Sequence, residues 1–116
     1  MIIKIKDLRL RAIIGIHEWE RKNKQDIIIN VEFEFNGSHA AQSDNIDDTV
    51  NYKGICKNII ELAENSEFNL LEKLCDKVLQ IVMKDHRVKK GKVEIEKPHA
   101  LRFADSVSVT QFSEGY

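Results

Sequence analysis

The chain is poor in residues that interrupt structure. It has one proline and five glycines in 116 residues. That is too little for a long linker, so residues 1–116 are expected to form a single domain around one modest core. Cysteine is scarce too. Cys56 and Cys75 both fall inside helical patterns, and their spacing matches no metal or redox motif. Both are expected to be buried, reduced thiols of a cytoplasmic protein. No apolar run is long enough to span a bilayer and no secretory pattern follows Met1, so neither a membrane anchor nor a leader is expected. Neither sign of charge dominates. The formal net charge is −1 and the pI is near 6.4, which argues against a nucleic-acid surface. The histidines, His17, His39, His86 and His99, form no ligand-spaced pair, so no metal or other cofactor is expected. Glycine-rich phosphate loops and internal repeats are absent.

What the chain does contain is strong periodicity. In residues 2–14, Ile3 and Ile5 alternate with lysines, then Leu8, Leu10 and Ala12 alternate with arginines. The apolar parity flips at Lys6-Asp7, which predicts a β-bulge in one long strand. Residues 26–35 alternate again, with Ile27, Ile29, Val31, Phe33 and Phe35 on one face. After a turn-rich stretch, in which Ala40-Ala41 suggests a short helical turn, the period becomes helical. Ile55, Ile59 and Leu62 mark one stripe. Asn65-Ser66 ends that helix, and Asn69 is placed to cap a second with the stripe Leu70/Leu71, Leu74, Val78 and Ile81/Val82. Lys89-Lys90-Gly91 reads as a turn. Val93/Ile95 and Val107/Val109 then give two more strands. The order β-β-α-α-β-β predicts an α+β fold, a four-stranded antiparallel sheet with two helices on one face. The first two strands are long, and long edge strands invite pairing with another chain.

Four chemically capable residues fall at element ends, where sites gather. Lys97 closes the third strand, and Pro98 after it should end the ladder. Glu20 lies in the loop after the first strand, Tyr52 opens the first helix, and Glu72 lies in the first turn of the second. Each has an ordinary explanation. Lys97 and Glu20 resemble solvated charges, Tyr52 a half-buried helix-start aromatic, and Glu72 the partner of Asn69 in a capping box. Taken singly, the ordinary explanation is favoured for each.

Taken together they form a pattern. The segments Leu8–Val31, Asp44–Ile60, Phe68–Leu74 and Lys92–Val109 resemble the dihydroneopterin aldolase / dihydroneopterin triphosphate 2′-epimerase family. Gly15 precedes a loop carrying Glu20 and Gln25. Tyr52, Leu71-Glu72 and Lys97 follow in order. The Leu-Arg-Leu-Arg start, the run from Asn51 to Ile60 and the run from His99 to Ser108 are similar to the epimerase side of the family. Trp19-Glu20 is more like the aldolase side.

The resemblance implies a tunnelling fold, in which subunit sheets close into a ring and two tetrameric rings stack into an octamer. It implies a pterin pocket between neighbouring subunits, gripped by Glu72 with the backbones of Leu71 and Val50. It also implies metal-free retro-aldol chemistry with Lys97 and Tyr52 moving protons and Glu20 orienting a water or the side-chain hydroxyls. To act as a base near neutrality, Lys97 would need a pKa well below the usual value of about 10.4. A triphosphorylated substrate would also need cations. His99 and Arg102 are the better candidates, before Arg9, Arg11, Arg21 and Lys24. Three functions follow: an epimerase, an aldolase, or a non-catalytic ring-forming subunit that binds a pterin or a protein partner.

Overall fold

Alternation at period two builds the sheet. In the computed structural model, which describes residues 1–116, β1 (Ile2–Ile14) pairs antiparallel with β2 (Gln25–Phe35). The register shifts between Ile5 and Leu8, and Asp7 adopts a left-handed backbone with φ 52°. This is the bulge that the parity flip predicts. It keeps Leu8 and Leu10 opposite buried Ile29 and Ile27, on the same face as Ile3 and Ile5 opposite Phe33 and Val31. The Asn30 side chain accepts the Asp7 N–H at 2.8 Å, so the bulge leaves that donor satisfied.

The sheet has five strands rather than four, and it is mixed. β3 (Glu67–Phe68) runs parallel to the end of β1, β4 (Val88–Pro98) lies against β2, and β5 (Ser106–Phe112) lies against β4. The order across the sheet is β3-β1-β2-β4-β5. Two residues carry no readable period, which is why β3 is invisible in the sequence. It satisfies the end of β1, where the Gly15 N–H donates to the Phe68 carbonyl at 3.0 Å. β2 is central, so β1 and β5, not β1 and β2, supply the open edges.

Four helices accompany the sheet: α1 (Glu18–Lys22), α2 (Ser38–Ser43), α3 (Tyr52–Asn65) and α4 (Leu71–Met83). The short helical turn at Ala40-Ala41 is α2. The Asn51 side chain caps α3 by accepting the Gly54 N–H at 3.0 Å. Ile55, Ile59 and Ala63 of α3, and Leu74, Cys75, Val78 and Val82 of α4, are buried against one face of the sheet. Cys75 is buried, which pushes its thiol up to about 11, whereas Cys56 is only half-buried. No helix is long and apolar enough to cross a membrane.

Two local expectations are corrected. Lys89–Gly91 is not a turn but part of β4, with Gly91 opposite Phe33. Its glycine answers a packing need, because a Cβ there would press against Met83, Leu79 and Val82 of α4. Asn69 does not cap α4. The N-cap is Leu70, with no side-chain cap, and the Asn69 side-chain Oδ1 instead accepts from the Arg21 guanidinium.

α3 and α4 are antiparallel. Asn51 and Gly54 at the start of α3 share a cleft with Lys84 just past the end of α4. Because β4 returns alongside α4, the molecule has two ends. At one end β1 and β4 finish and α4 begins. At the other lie Met1, Phe35 and Tyr52.

Candidate active site

Lys97 belongs by parity to the row Val93, Ile95, Lys97, which faces the helices. The first two are fully buried. A lysine in such a row cannot leave its ammonium without a partner. Lys97 Nζ donates to Glu20 Oε2 at 2.5 Å and to the Ile14 carbonyl at 3.4 Å. The two side chains are 12% and 16% exposed, so this pair is largely shielded from water, whereas the other lysine and arginine pairs of the chain involve at least one more exposed partner.

Glu20 comes from α1, a helix where the sequence suggests only a loop. Its Oε1 accepts the His17 N–H at 3.2 Å, which closes the start of that short helix. Gln25 Nε2 donates to the Ile14 carbonyl at 3.0 Å and to Glu20 Oε2 at 3.4 Å. The hydrogen bond from Lys97 is the main reason that the Glu20 carboxyl falls to about 2. The His17 and Gln25 donors add to it, and burial opposes them. Glu20 is therefore an anion across the neutral range.

Gly15 makes this geometry possible. Its φ is 139°, a region that L side chains rarely adopt, and a Cβ there would fall onto the Glu20 carboxyl.

The second part of the site is the start of α4. Phe68 is tied to Gly15, and Asn69 to Arg21 on the Glu20-bearing helix. These links fasten the approach to α4 to the same end of the sheet as Lys97. Glu72 stands in the first turn of α4, exposed and with no partner inside the chain. Its carboxylate favours the positive end of the helix, and its oxygens are free to accept from a ligand. Leu71, the first residue of α4, is buried, and its N–H is among the amides that a helix start leaves without an intrahelical partner.

Tyr52 and Val50 are at the far end. Tyr52 is 49% exposed at the start of α3, and the fully buried Val50 accepts the Tyr52 N–H at 3.0 Å. Within one chain these two do not join Lys97, Glu20 and Glu72. His99 follows Pro98 with a left-handed backbone, φ 62°. It lines a cleft with Arg9 and Arg11. Arg102 sits over the Phe103 ring at 5.4 Å. Gln25, which the sequence pattern marks without a role, is the neighbour that holds the Glu20 carboxylate and the Ile14 carbonyl together.

This end of the sheet therefore carries an ammonium, two carboxylates and free helix-start amides, a set of groups that suits recognition of a planar hydrogen-bonding heterocycle and proton movement beside it. Comparisons with known proteins bear on which. The dihydroneopterin aldolase family profile matches residues 3–111. The dihydroneopterin triphosphate 2′-epimerase of Escherichia coli K12 is 52% identical over 109 residues, covering 94% of this chain and 91% of that protein. The dihydroneopterin aldolase of the same organism is 25% identical over 93% of this chain and 88% of its own length. The crystal structure of Escherichia coli dihydroneopterin aldolase in complex with neopterin superimposes with a TM-score of 0.92 at 24% identity, covering 97% and 98% of the two chains.

Proposed function

The chain belongs to the dihydroneopterin aldolase family, and from that premise we propose that it epimerises C2′ of the side chain of 7,8-dihydroneopterin triphosphate, without metal or organic cofactor. It is an enzyme of the isomerase type, with the lyase reaction of an aldolase as a side activity. The observation that carries this reading is the sheltered Lys97–Glu20 pair, set at the same end of the sheet as Glu72 in a chain 52% identical to an epimerase.

Glu72 accepts hydrogen bonds from the pterin 2-amino group and the neighbouring ring N–H, a bidentate, charge-assisted contact that selects the ring. The backbones of Leu71 and Val50 hold the remaining ring edge. Lys97 and Tyr52 move protons through a bound water, and Glu20 keeps the amine and that water in line. The 2′-hydroxyl proton leaves as its oxygen becomes a carbonyl. The C1′–C2′ bond breaks, its electron pair passes into C1′=C6, and N5 takes up a proton. If the freed aldehyde turns and C1′ attacks its other face, N5 releases the proton and the 2′-epimer forms. If the aldehyde departs and C1′ is protonated instead, the outcome is aldol cleavage. One intermediate thus serves both reactions.

Tyr52 and Val50 lie far from Lys97 within one chain, which supports a pocket shared between subunits. Closed rings of a single-domain subunit, two tetramers stacked as an octamer, are the assembly that fits, in a cytoplasmic setting. The test is to supply dihydroneopterin and its triphosphate separately, following 2′-epimer and aldehyde by chromatography. Faster epimerisation of the triphosphate is expected. Faster glycolaldehyde release from the unphosphorylated compound would make the chain an aldolase instead.

A further inference from the structure

The sheet face turned away from the helices carries a cleft of about 330 Å³ beside the reactive end, lined by Arg9, Arg11, Asp26, Ile28, Pro98 and His99 among its walls. Arg9 is opposite Ile28, one residue out of phase with buried Ile27 and Ile29, which places it on that outer face. Three of these residues are basic or can become so, and one is acidic. Arg11 is already committed. Its Nε lies 3.4 Å from Asp26 Oδ1 and its Nη2 donates to the Lys24 carbonyl at 2.9 Å. Arg9 and His99 have no such partner. His99 reaches this wall because its backbone is left-handed (φ 62°), a conformation that a non-glycine residue holds at a cost and that tends to persist where function needs it. It is two residues beyond Lys97, roughly 7 Å of extended chain.

We infer that this cleft holds the phosphate groups of the substrate whose reacting carbon sits at Lys97, with Arg9 and His99 as the specificity-determining residues. The inference rests on the reading given under Proposed function and adds the surface that would distinguish a phosphorylated from an unphosphorylated side chain. The pterin and C2′ stay on the Lys97 side, and the tail passes around the end of the sheet, past Pro98. A guanidinium meets phosphate oxygens in a two-pronged contact. Asp26 pins Arg11 rather than cancelling Arg9, so the cleft keeps a net attraction for an anion. Arg102, stacked on Phe103, is not among the cleft residues.

The experiment uses the full chain in its native assembly. Inorganic triphosphate is titrated into wild type, Arg9→Gln, His99→Gln and Arg9→Lys by calorimetry. In parallel, kcat/KM is measured on dihydroneopterin triphosphate and on dihydroneopterin. Inorganic triphosphate is expected to bind wild type more weakly as salt rises. The ratio of the two kcat/KM values is expected to fall about tenfold or more in Arg9→Gln, mostly through KM, with Arg9→Lys retaining much of it. Absence of triphosphate binding to wild type, a ratio unmoved in both Gln variants, or equal losses on both substrates would each overturn the cleft assignment. If wild type does not turn over the triphosphate at all, the functional reading fails. If it does and the ratio stays fixed, the cleft alone fails.

Discussion

A lysine at the end of a core-facing strand row and a glutamate in the first turn of a helix are both common features. What argues for more than the ordinary explanation in both cases is their company. Lys97 is sheltered with Glu20 at 2.5 Å, and Glu72 has no Asn69 cap to partner, since Asn69 binds Arg21. Replacing Lys97 by Ala is expected to lower kcat roughly 10²–10⁴-fold for epimerisation and cleavage alike while pterin still binds, as removal of a proton-transfer group does. Retained turnover in steady-state assays would take Lys97 out of its role. Glu72→Ala is expected to do the reverse, weakening pterin binding about a hundredfold, the worth of a charge-assisted pair of hydrogen bonds. Thermal stability should change by only about 1 kcal/mol or less, because the helix start loses just a favourable end charge. Normal pterin affinity in a fluorescence titration would show that the carboxylate serves the helix alone. Glu20 makes a pH prediction. Its carboxyl sits at about 2 when folded against an ordinary 4.5. The stability that it contributes is therefore fully present above pH 4.5 and drains away as the pH falls towards 2. Denaturant melts of wild type and Glu20→Gln should converge over that window. A gap independent of pH would mean that the ion pair is not what Glu20 contributes.

Periodicity recovers an element when the element is long enough to repeat. β1, with its bulge, is readable because one flip of parity in thirteen residues has no other cheap explanation. α3 and α4 are readable for the same reason at period 3.6. β3 is not, since Glu67 and Phe68 form a strand only because β1 ends beside them. Gly91 misleads because glycine marks turns and also close helix approach, and only the position of α4 tells which. The candidate site is legible in part. The residue types at Glu20, Tyr52, Glu72 and Lys97 stand out once the pattern is assembled, but that α1 folds Glu20 back onto Lys97 depends on contacts between residues far apart in sequence. Gly15 is the hinge of that fold-back. Gly15→Ala combines an unfavourable backbone with a clash at the Glu20 carboxyl. It should cost about 1–3 kcal/mol of stability and a larger share of activity, as α1 shifts Glu20 off the amine. A variant that melts lower yet keeps wild-type kcat would show that the position of α1 does not control the amine.

The chain is elongated, 52 × 25 × 21 Å, with a radius of gyration of 15.4 Å where about 13 Å is usual at this length. Long strands with few covering elements produce that shape, and they leave β5 and most of β1 as unpaired edges. Exposed apolar side chains gather at both ends: Ile16, Trp19, Leu70, Leu101 and Phe103 near the Lys97 end, Ile46 and Tyr52 at the other. A closed ring would cover edges and ends together, and in the shared pocket proposed above Tyr52 of one subunit meets Lys97 of the next. This makes the location of the two groups testable by complementation. Lys97→Ala and Tyr52→Phe chains, each expected to be nearly inactive alone, are unfolded together in equal amounts and refolded. If every site takes Lys97 from one chain and Tyr52 from its neighbour, random assembly leaves about a quarter of the sites with both groups intact, and activity should return to about a quarter of the wild-type value. If both groups came from one chain, no mixture could contain an intact site and activity would stay at the level of the separate variants. The unpaired position of Tyr52, far from Lys97 in its own chain, favours the first outcome.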